Sequence, residues 1–295
     1  MAMNWLKHLN SKIKFDEPLK NKTTFKIGGK AKFFCQPQNR ADLRSLLTSA
    51  KKHKTPIFIA GAGSNLLISD KGLQAAVVKL SSPSFKKISF KDRRVKVGSG
   101  LMLGQLVKKA QDRALSGTEF LAGIPGTVGG ALVMNTGAWG KNIGDLVEEV
   151  EVMDYNGKIR VLNKKQIKFA YRRSGLEKFI ILVATLKLTK KDKSKIFQDL
   201  KKNLENRRNS QDNSYPNAGC IFKNPFGESA GRLIDLCGLK GRKIGGACIS
   251  DRHANFILNR GNATAEDVLK LISLIRKEVK QKFDINLQPE IKIWR

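Results

Sequence analysis

The sequence predicts an α+β fold of two or three domains, in which sheet-and-helix units open into glycine-rich loops. Three observations carry this. The chain has 295 residues, more than one hydrophobic core comfortably organises, and 41% of them are hydrophobic, ample for packing several. Apolar residues recur with period 2 and period 3.6 in alternating stretches, the mark of mixed strands and helices. Residues 120–140 hold no charge although charged residues make up 27% of the chain, and from Gly123 they read GIPGTVGGALVMNTGAWG.

In chain order, a basic lead-in gives way to AKFFCQ at 31–36, a strand by its aromatic and apolar content. Asn39 offers an N-cap, and 41–52 places Leu43, Leu46, Leu47 and Ala50 on one helical face before Pro56. Residues 56–60 read as a buried strand that opens directly into GAGSN at 61–65. This βαβ unit puts the loop at the carboxyl end of a strand, where open α/β sheets bind ligands. Strands at 87–90 and 94–97 flank a Lys91-Asp92-Arg93 turn, and a helix over 101–115 follows with Leu103, Leu106, Val107 and Ala110 at helical spacing. After the glycine segment come a hairpin of 147–154 with 157–162, turning at Tyr155-Asn156-Gly157, and a strand at 179–188. Residues 190–209 predict a connecting helix with an apolar face of Ile196, Phe197, Leu200 and Leu204. Thr264 with Asp267 forms a capping box ahead of a helix whose stripe is Val268, Leu271, Ile272, Ile275, Val279 and Phe283. Residues 291–294 alternate as a last strand with Glu290 at its start. The expected division is 1–79, 80–190, a linker helix at 191–209, and 210–295.

Six glycines in the eighteen residues from Gly123 remove side chains where a ligand must approach backbone, and they permit main-chain N–H groups to converge on an anion. With GAGSN upstream, two such cradles suggest one large ligand with a pyrophosphate. A set of tight turns in a twisted sheet is the bland alternative for any glycine cluster. A membrane segment is disfavoured, because Pro125, Thr127, Asn135 and Thr136 would bring polar groups into hydrocarbon. An NAD-type dinucleotide site is disfavoured too: GAGSNL lacks the third glycine, an immediate helix and the acidic residue at the required offset.

Composition narrows the rest. The start MAMNWLKHLNSK has no apolar h-region or cleavage site, which predicts a soluble, cytoplasmic protein. The four cysteines have no CxxC pairing and only three histidines exist, so no metal site is expected. Cys35, Cys237 and Cys248 read as small buried hydrophobes. The net charge of +31 invites a nucleic-acid reading. The lysines are diffuse, however, with no aromatic-interleaved platform or recognition helix, and solvated faces are expected instead. Nothing in the sequence fixes an oligomeric state.

A strand followed by GAGSNLLISD and later by the long glycine segment resembles the FAD-binding domain of the vanillyl-alcohol-oxidase type. Adding YRRS at 171–174, AGCIFKNP, SDRHANFILN and PEIKIW in that order, nearly the whole chain resembles the UDP-N-acetylenolpyruvoylglucosamine reductase (MurB) family. The short interval from Arg172 to Cys220 resembles its second type. The resemblance implies a two-subdomain FAD-binding fold with a C-terminal α/β substrate domain, non-covalent FAD, NADPH as co-substrate and an enolpyruvyl UDP-sugar as substrate, in peptidoglycan precursor synthesis. It assigns cofactor binding to Gly61, Ala62, Gly63, Ser64 and Asn65 and to Gly123, Pro125, Gly126, Thr127, Gly129, Gly130, Asn135 and Gly137. Catalysis falls to Arg172, Cys220 and Glu290, and substrate contact to Tyr171, Lys223 and Asn224.

The chemistry agrees with those roles. Hydride addition to an enolpyruvyl group builds negative charge beside a carboxylate, which a guanidinium can bind in bidentate fashion. Glu290 could stabilise an enolate only when protonated. The family's usual proton donor is a serine in GS-x-F-K-N-P, and Cys220 stands there instead. A thiol, with a reference pKa of about 8.5, holds its proton near neutrality and is a stronger acid than an alcohol. Two other classes remain to be set beside this reading: a flavoprotein oxidase of the same superfamily, which often links its flavin through a histidine that neither glycine segment has, and a basic nucleic-acid-associated protein on the same fold.

Overall fold

The computed structural model describes residue 6 and residues 9–295. The expectation that the chain opens without a leader, and His8 with it, falls mainly on residues outside these. The chain forms two compact units, each assembled from separate stretches: Met1–Phe15, Phe33–Ala62 and Gln74–Asn206 in the first, Asp16–Lys32, Gly63–Leu73 and Arg207–Arg295 in the second.

In the first unit the predicted βαβ sequence forms as expected. Strand Lys30–Gln36 leads to helix Arg40–Lys52, whose first turn is closed by the Asn39 side chain accepting from the Asp42 amide at 3.0 Å. Strand Ile57–Ala60 follows and pairs in parallel with Leu73–Lys79, Ile57 opposite Ala76. Leu43, Leu46 and Leu47 pack with Phe33, Cys35, Ala76 and Val78 in one core. A five-stranded antiparallel sheet runs in the order Ile159–Asn163, Val147–Met153, Ile180–Lys187, Arg94–Gly98, Ile88–Lys91. Its core residues Val95, Val97, Val150, Val152 and Ala184 pack with Leu103 and Leu106 from helix Leu103–Gln111, which is shorter than the predicted 101–115.

The helix predicted over 190–209 spans Lys193–Ser210, but its apolar face is narrower than expected. Ile196 and Leu200 are buried, whereas Phe197 and Leu204 are 60% and 47% exposed. The i, i+4 pair alone lies over the core, since Phe197 projects about 100° further round the helix.

In the second unit the capping box of Thr264 and Asp267 is present and starts helix Ala265–Phe283. Val268, Leu271, Ile272, Ile275 and Val279 bury against Ile249, Ile257, Leu233 and Ile234. A three-stranded antiparallel sheet, Lys243–Ile244, Ala247–Ile249 and Ile257–Asn259, carries the facing side chains. The last strand, Lys292–Trp294, pairs in parallel with Leu66–Ile68, and its start lies just after Glu290, as predicted. No helix among the described residues is long and apolar enough to cross a membrane.

Candidate active site

Strand Ile57–Ala60 delivers the chain to Gly61, where a β-carbon would stand 2.9 Å from the Thr127 hydroxyl. Gly61, at the start of the first glycine loop, and Thr127, in the second glycine segment, therefore meet inside the first unit, as one ligand touching both would require. Thr127 caps the short helix Val128–Val133, its Oγ1 accepting from the Gly130 amide at 3.3 Å. Gly129 donates to the Ser99 carbonyl at 2.8 Å, so close that a β-carbon would sit 2.9 Å from Ser99 Cβ. Glycine is required there by protein backbone rather than by a ligand.

Polar groups are left over around this junction. Ser99 Oγ is buried with no hydrogen-bond partner among the described residues. The amides of Ala62, Gly126 and Thr127 likewise donate to no protein acceptor among them. Buried polar groups are normally paired, so an unmatched hydroxyl and neighbouring backbone donors in a glycine-lined cradle fit an anionic dinucleotide cofactor such as FAD. Gly123 and Pro125 lie exposed on the loop leading into it. Ser99 was not found from sequence, since a serine after a strand carries no signal of its own.

Asn135 and Gly137 do different work. The Asn135 side chain is 5% exposed and both its polar atoms are engaged: Nδ2 donates to the Ala170 carbonyl at 3.0 Å, and Oδ1 accepts from the Gly144 amide at 3.0 Å. Gly137 opens a hairpin of Gly137–Ala138 with Lys141–Asn142, and Trp139 and Gly140 at its tip both have positive φ, the signature of a type I′ turn. A β-carbon at Gly137 would overlap the Asn142 side chain. The Gly137 carbonyl accepts from Arg172 Nη1 at 3.1 Å. Arg172 sits in a tight turn in which Ala170 and Arg173 exchange backbone hydrogen bonds, at φ 54°, with its guanidinium 5.3 Å from the centre of the exposed Tyr171 ring.

In the second unit, Cys220 and Phe256 form a bridge and Phe222 bridges Pro289, so the segment carrying Cys220 and Lys223 lies between 255–256 and 288–290. The Glu290 amide donates to the Ile221 carbonyl at 2.8 Å and the Lys223 amide to the Gln288 carbonyl at 2.9 Å. Cys220 and Glu290 thus lie on two bridged segments, Glu290 opposite Ile221 and one position along from Cys220. Asn65 joins them from the first loop, its Nδ2 donating to the Glu290 carbonyl at 3.2 Å. Gly63, at φ 75°, packs its α-carbon against Lys22 and Thr23, leaving no room for a side chain. Ser64 completes the loop in the same unit. Asn224 Oδ1 accepts from the Ala230 amide at 3.1 Å, ahead of helix Ala230–Leu236.

Next to the Cys220 segment stands a polar scaffold built on Asn255 and Ser250. Asn255, 2% exposed, mimics a strand neighbour: its Oδ1 accepts from the Phe222 amide at 2.9 Å and its Nδ2 donates to the Phe222 carbonyl at 2.8 Å. Ser250 Oγ, fully buried, donates to Asp212 Oδ2 at 2.6 Å and accepts from the Arg252 and His253 amides, both at 3.0 Å. Burial would push the Asp212 carboxyl up, but hydrogen bonds from the Ser214 and Ser250 hydroxyls and the Ser214 amide outweigh it and hold the group below its ordinary value. Burial pushes His253 down, in keeping with Nδ1 accepting the Asn255 amide at 3.2 Å.

The cysteines divide accordingly. Cys35 and Cys248 are buried, and burial, aided by the Asp42 charge, pushes the Cys35 thiol up to about 12. Cys237, expected to be buried, is half-exposed at the end of helix Ala230–Leu236, and Cys220 is half-exposed too. Among the described residues no group of three or more His, Cys, Asp or Glu could hold a metal ion.

Comparison with known proteins places these parts. Residues 31–163 match the FAD binding domain family, and residues 211–294 match the C-terminal domain of UDP-N-acetylenolpyruvoylglucosamine reductase. A UDP-N-acetylenolpyruvoylglucosamine reductase of Caldanaerobacter subterraneus subsp. tengcongensis is 43% identical over 96% of this chain and 93% of its own. The chain belongs to the UDP-N-acetylenolpyruvoylglucosamine reductase family. The crystal structure of that reductase from Thermus caldophilus superposes with a TM-score of 0.82 at 35% identity, over 97% of this chain and all of the other. The 6-hydroxy-D-nicotine oxidase of Arthrobacter nicotinovorans, at 15% identity and a TM-score of 0.50 over 64% of this chain and 44% of its own, shares the fold alone. The α+β, FAD-binding architecture of the vanillyl-alcohol-oxidase type is the one this family of flavin-dependent oxidoreductases has, and this chain has it. Arg172 and Tyr171 fall between the two matched domains.

Proposed function

We propose that this protein reduces UDP-N-acetylenolpyruvoylglucosamine to UDP-N-acetylmuramate with NADPH as hydride source, as a cytoplasmic step of peptidoglycan precursor synthesis. The observation that carries the residue-level reading is the pairing of the Cys220 strand with the Glu290 segment beside Lys223 and Asn65. Gly61, Ala62 and residues 123–130 would hold FAD, which would supply the hydride-transfer chemistry between NADPH and the β-carbon of the enolpyruvyl group.

The chain's own residues do the rest. Gly61 and Ala62 with the 123–130 segment and Ser99 hold the cofactor through backbone amides and one hydroxyl. Arg172 pairs with the substrate carboxylate, where negative charge builds as hydride arrives. Cys220 Sγ holds the proton that goes to the α-carbon, and the thiolate left behind regains a proton from solvent. Glu290, in its protonated form, offers a hydrogen bond to the developing enolate. Lys223, Asn224 and Tyr171 hold the phosphates and sugar. The cofactor is served by 1–79 and 80–190 and the sugar nucleotide by 210–295, with 191–209 joining them.

Rapid-mixing measurement on Cys220 variants tests this assignment. Cys220→Ala should leave the NADPH half-reaction at the wild-type rate while slowing reoxidation by the enolpyruvyl substrate by roughly 10² to 10⁴. Cys220→Ser should recover much of the loss. Wild-type reoxidation in Cys220→Ala would give the proton to another residue or to water.

A further inference from the structure

Resting on the role proposed for Arg172, we infer that Asn135 is a positioning residue for that arginine rather than a cofactor contact. A residue inside a glycine-rich cofactor segment is naturally read as touching the cofactor. The geometry points elsewhere. Both polar atoms of the Asn135 amide are spent on protein backbone, one on the Ala170 carbonyl and one on the Gly144 amide, and the side chain is 5% exposed. Ala170 is the first residue of the four-residue turn that carries Arg172, and its hydrogen bonds with Arg173 close that turn.

Three bonds from residues 133–137 hold the turn. Asn135 Nδ2 binds the Ala170 carbonyl at one end, and Ser174 Oγ donates to the Val133 carbonyl at 2.9 Å at the other. Between them the Gly137 carbonyl takes Arg172 Nη1 at 3.1 Å. Arg172 needs this bracing, because its φ of 54° is a conformation that strains a residue with a β-carbon and persists only when its surroundings impose it. Asn135 itself, at φ 43°, is among the few residue types that adopt this region readily. Holding a guanidinium where a carboxylate must meet it matters to rate, because a displacement of about 1 Å in such a group can cost on the order of 10²-fold.

The test uses Asn135→Asp, which keeps the backbone preference and the acceptor for Gly144 but loses the donor to Ala170, and Asn135→Gly, which keeps the backbone freedom without the amide. Each is assayed alone and in the Arg172→Lys background, with the FAD dissociation constant measured on apoprotein. Arg172→Lys alone should lower kcat/KM for the enolpyruvyl substrate by at least tenfold. Asn135→Asp should lower the same constant by roughly 10- to 100-fold, with KM for NADPH and the FAD dissociation constant within threefold of wild type. Added to Arg172→Lys it should cost less than a further threefold, because it acts through the group already lost. Full multiplication of the two losses, wild-type turnover in both Asn135 variants, or weakened FAD binding with normal turnover at saturating flavin would overturn the inference. If Arg172→Lys itself turns over like wild type, the role given to Arg172 fails first and the inference falls with it.

Discussion

Asn255 shows how a single side chain can substitute for a piece of sheet. Its amide pairs with both the N–H and the C=O of Phe222, thirty-three positions away, and so fixes the strand that presents Cys220. Asn255→Ala would leave that buried N–H and C=O without partners, and an unmet buried polar group costs about 1–3 kcal/mol. Chemical denaturation should show a loss of this size or more, and a change under 0.5 kcal/mol would mean that water takes the amide's place. Gly63→Ala should be comparably damaging, since it combines a φ of 75° with overlap of the Lys22 carbonyl; flavin binding retained with an unchanged melting temperature would contradict this. Such roles were only partly legible in the sequence. That Gly63 tolerates no side chain could be read from GAGSN, but what it packs against could not. Asn255 in HANF carries no mark of a partner so far back along the chain, and cofactor contact was assigned to Asn135 only through the resemblance of its segment to the family, which says nothing of where its amide points.

At the scale of elements, local chemistry was readable and long-range use was not. The Asn39 cap and the Thr264–Asp267 box lie within four residues of what they satisfy, so sequence located both helix starts. The stripe on Lys193–Ser210 was read too wide, because periodicity reports which residues are able to bury and not which have a partner surface. The loop from Ser250 to Phe256 makes a prediction of its own. Asp212 is held below its ordinary value and contributes stability that is present above about pH 4 and lost as pH falls through its folded value. His253 is also pushed down, so its contribution is present above about pH 6.5 and is lost on acidification below that. Both act in the same direction. Urea midpoints should therefore fall between pH 7.5 and 5, and His253→Gln should flatten that slope while leaving the steeper loss below pH 4. An equal slope in the variant would place the titrating group elsewhere.

At the scale of the whole molecule, the two compact units draw on five chain breaks, and stretches as short as 63–73 belong with residues two hundred positions later. Segment-by-segment reading cannot reveal this, because the hydrophobic pattern of a strand does not say which unit it joins. The fold class was legible all the same, since ordered motifs spread over nearly the entire chain leave few architectures to choose from. The net charge of +31 has a kinetic consequence for an anionic sugar nucleotide. Raising salt should lift KM for the UDP-sugar and leave kcat nearly level, as screening over roughly 8–10 Å weakens steering but not contacts inside the site. A KM flat from 20 to 500 mM salt would show that the charge plays no part in encounter. The central claim, that this chain passes hydride from NADPH to an enolpyruvyl UDP-sugar, is tested most directly by anaerobic mixing of NADPH-reduced, FAD-loaded protein with UDP-N-acetylenolpyruvoylglucosamine. The account predicts that flavin absorbance returns fully, with one UDP-N-acetylmuramate formed per flavin. Flavin that stays reduced in the presence of saturating substrate would contradict it.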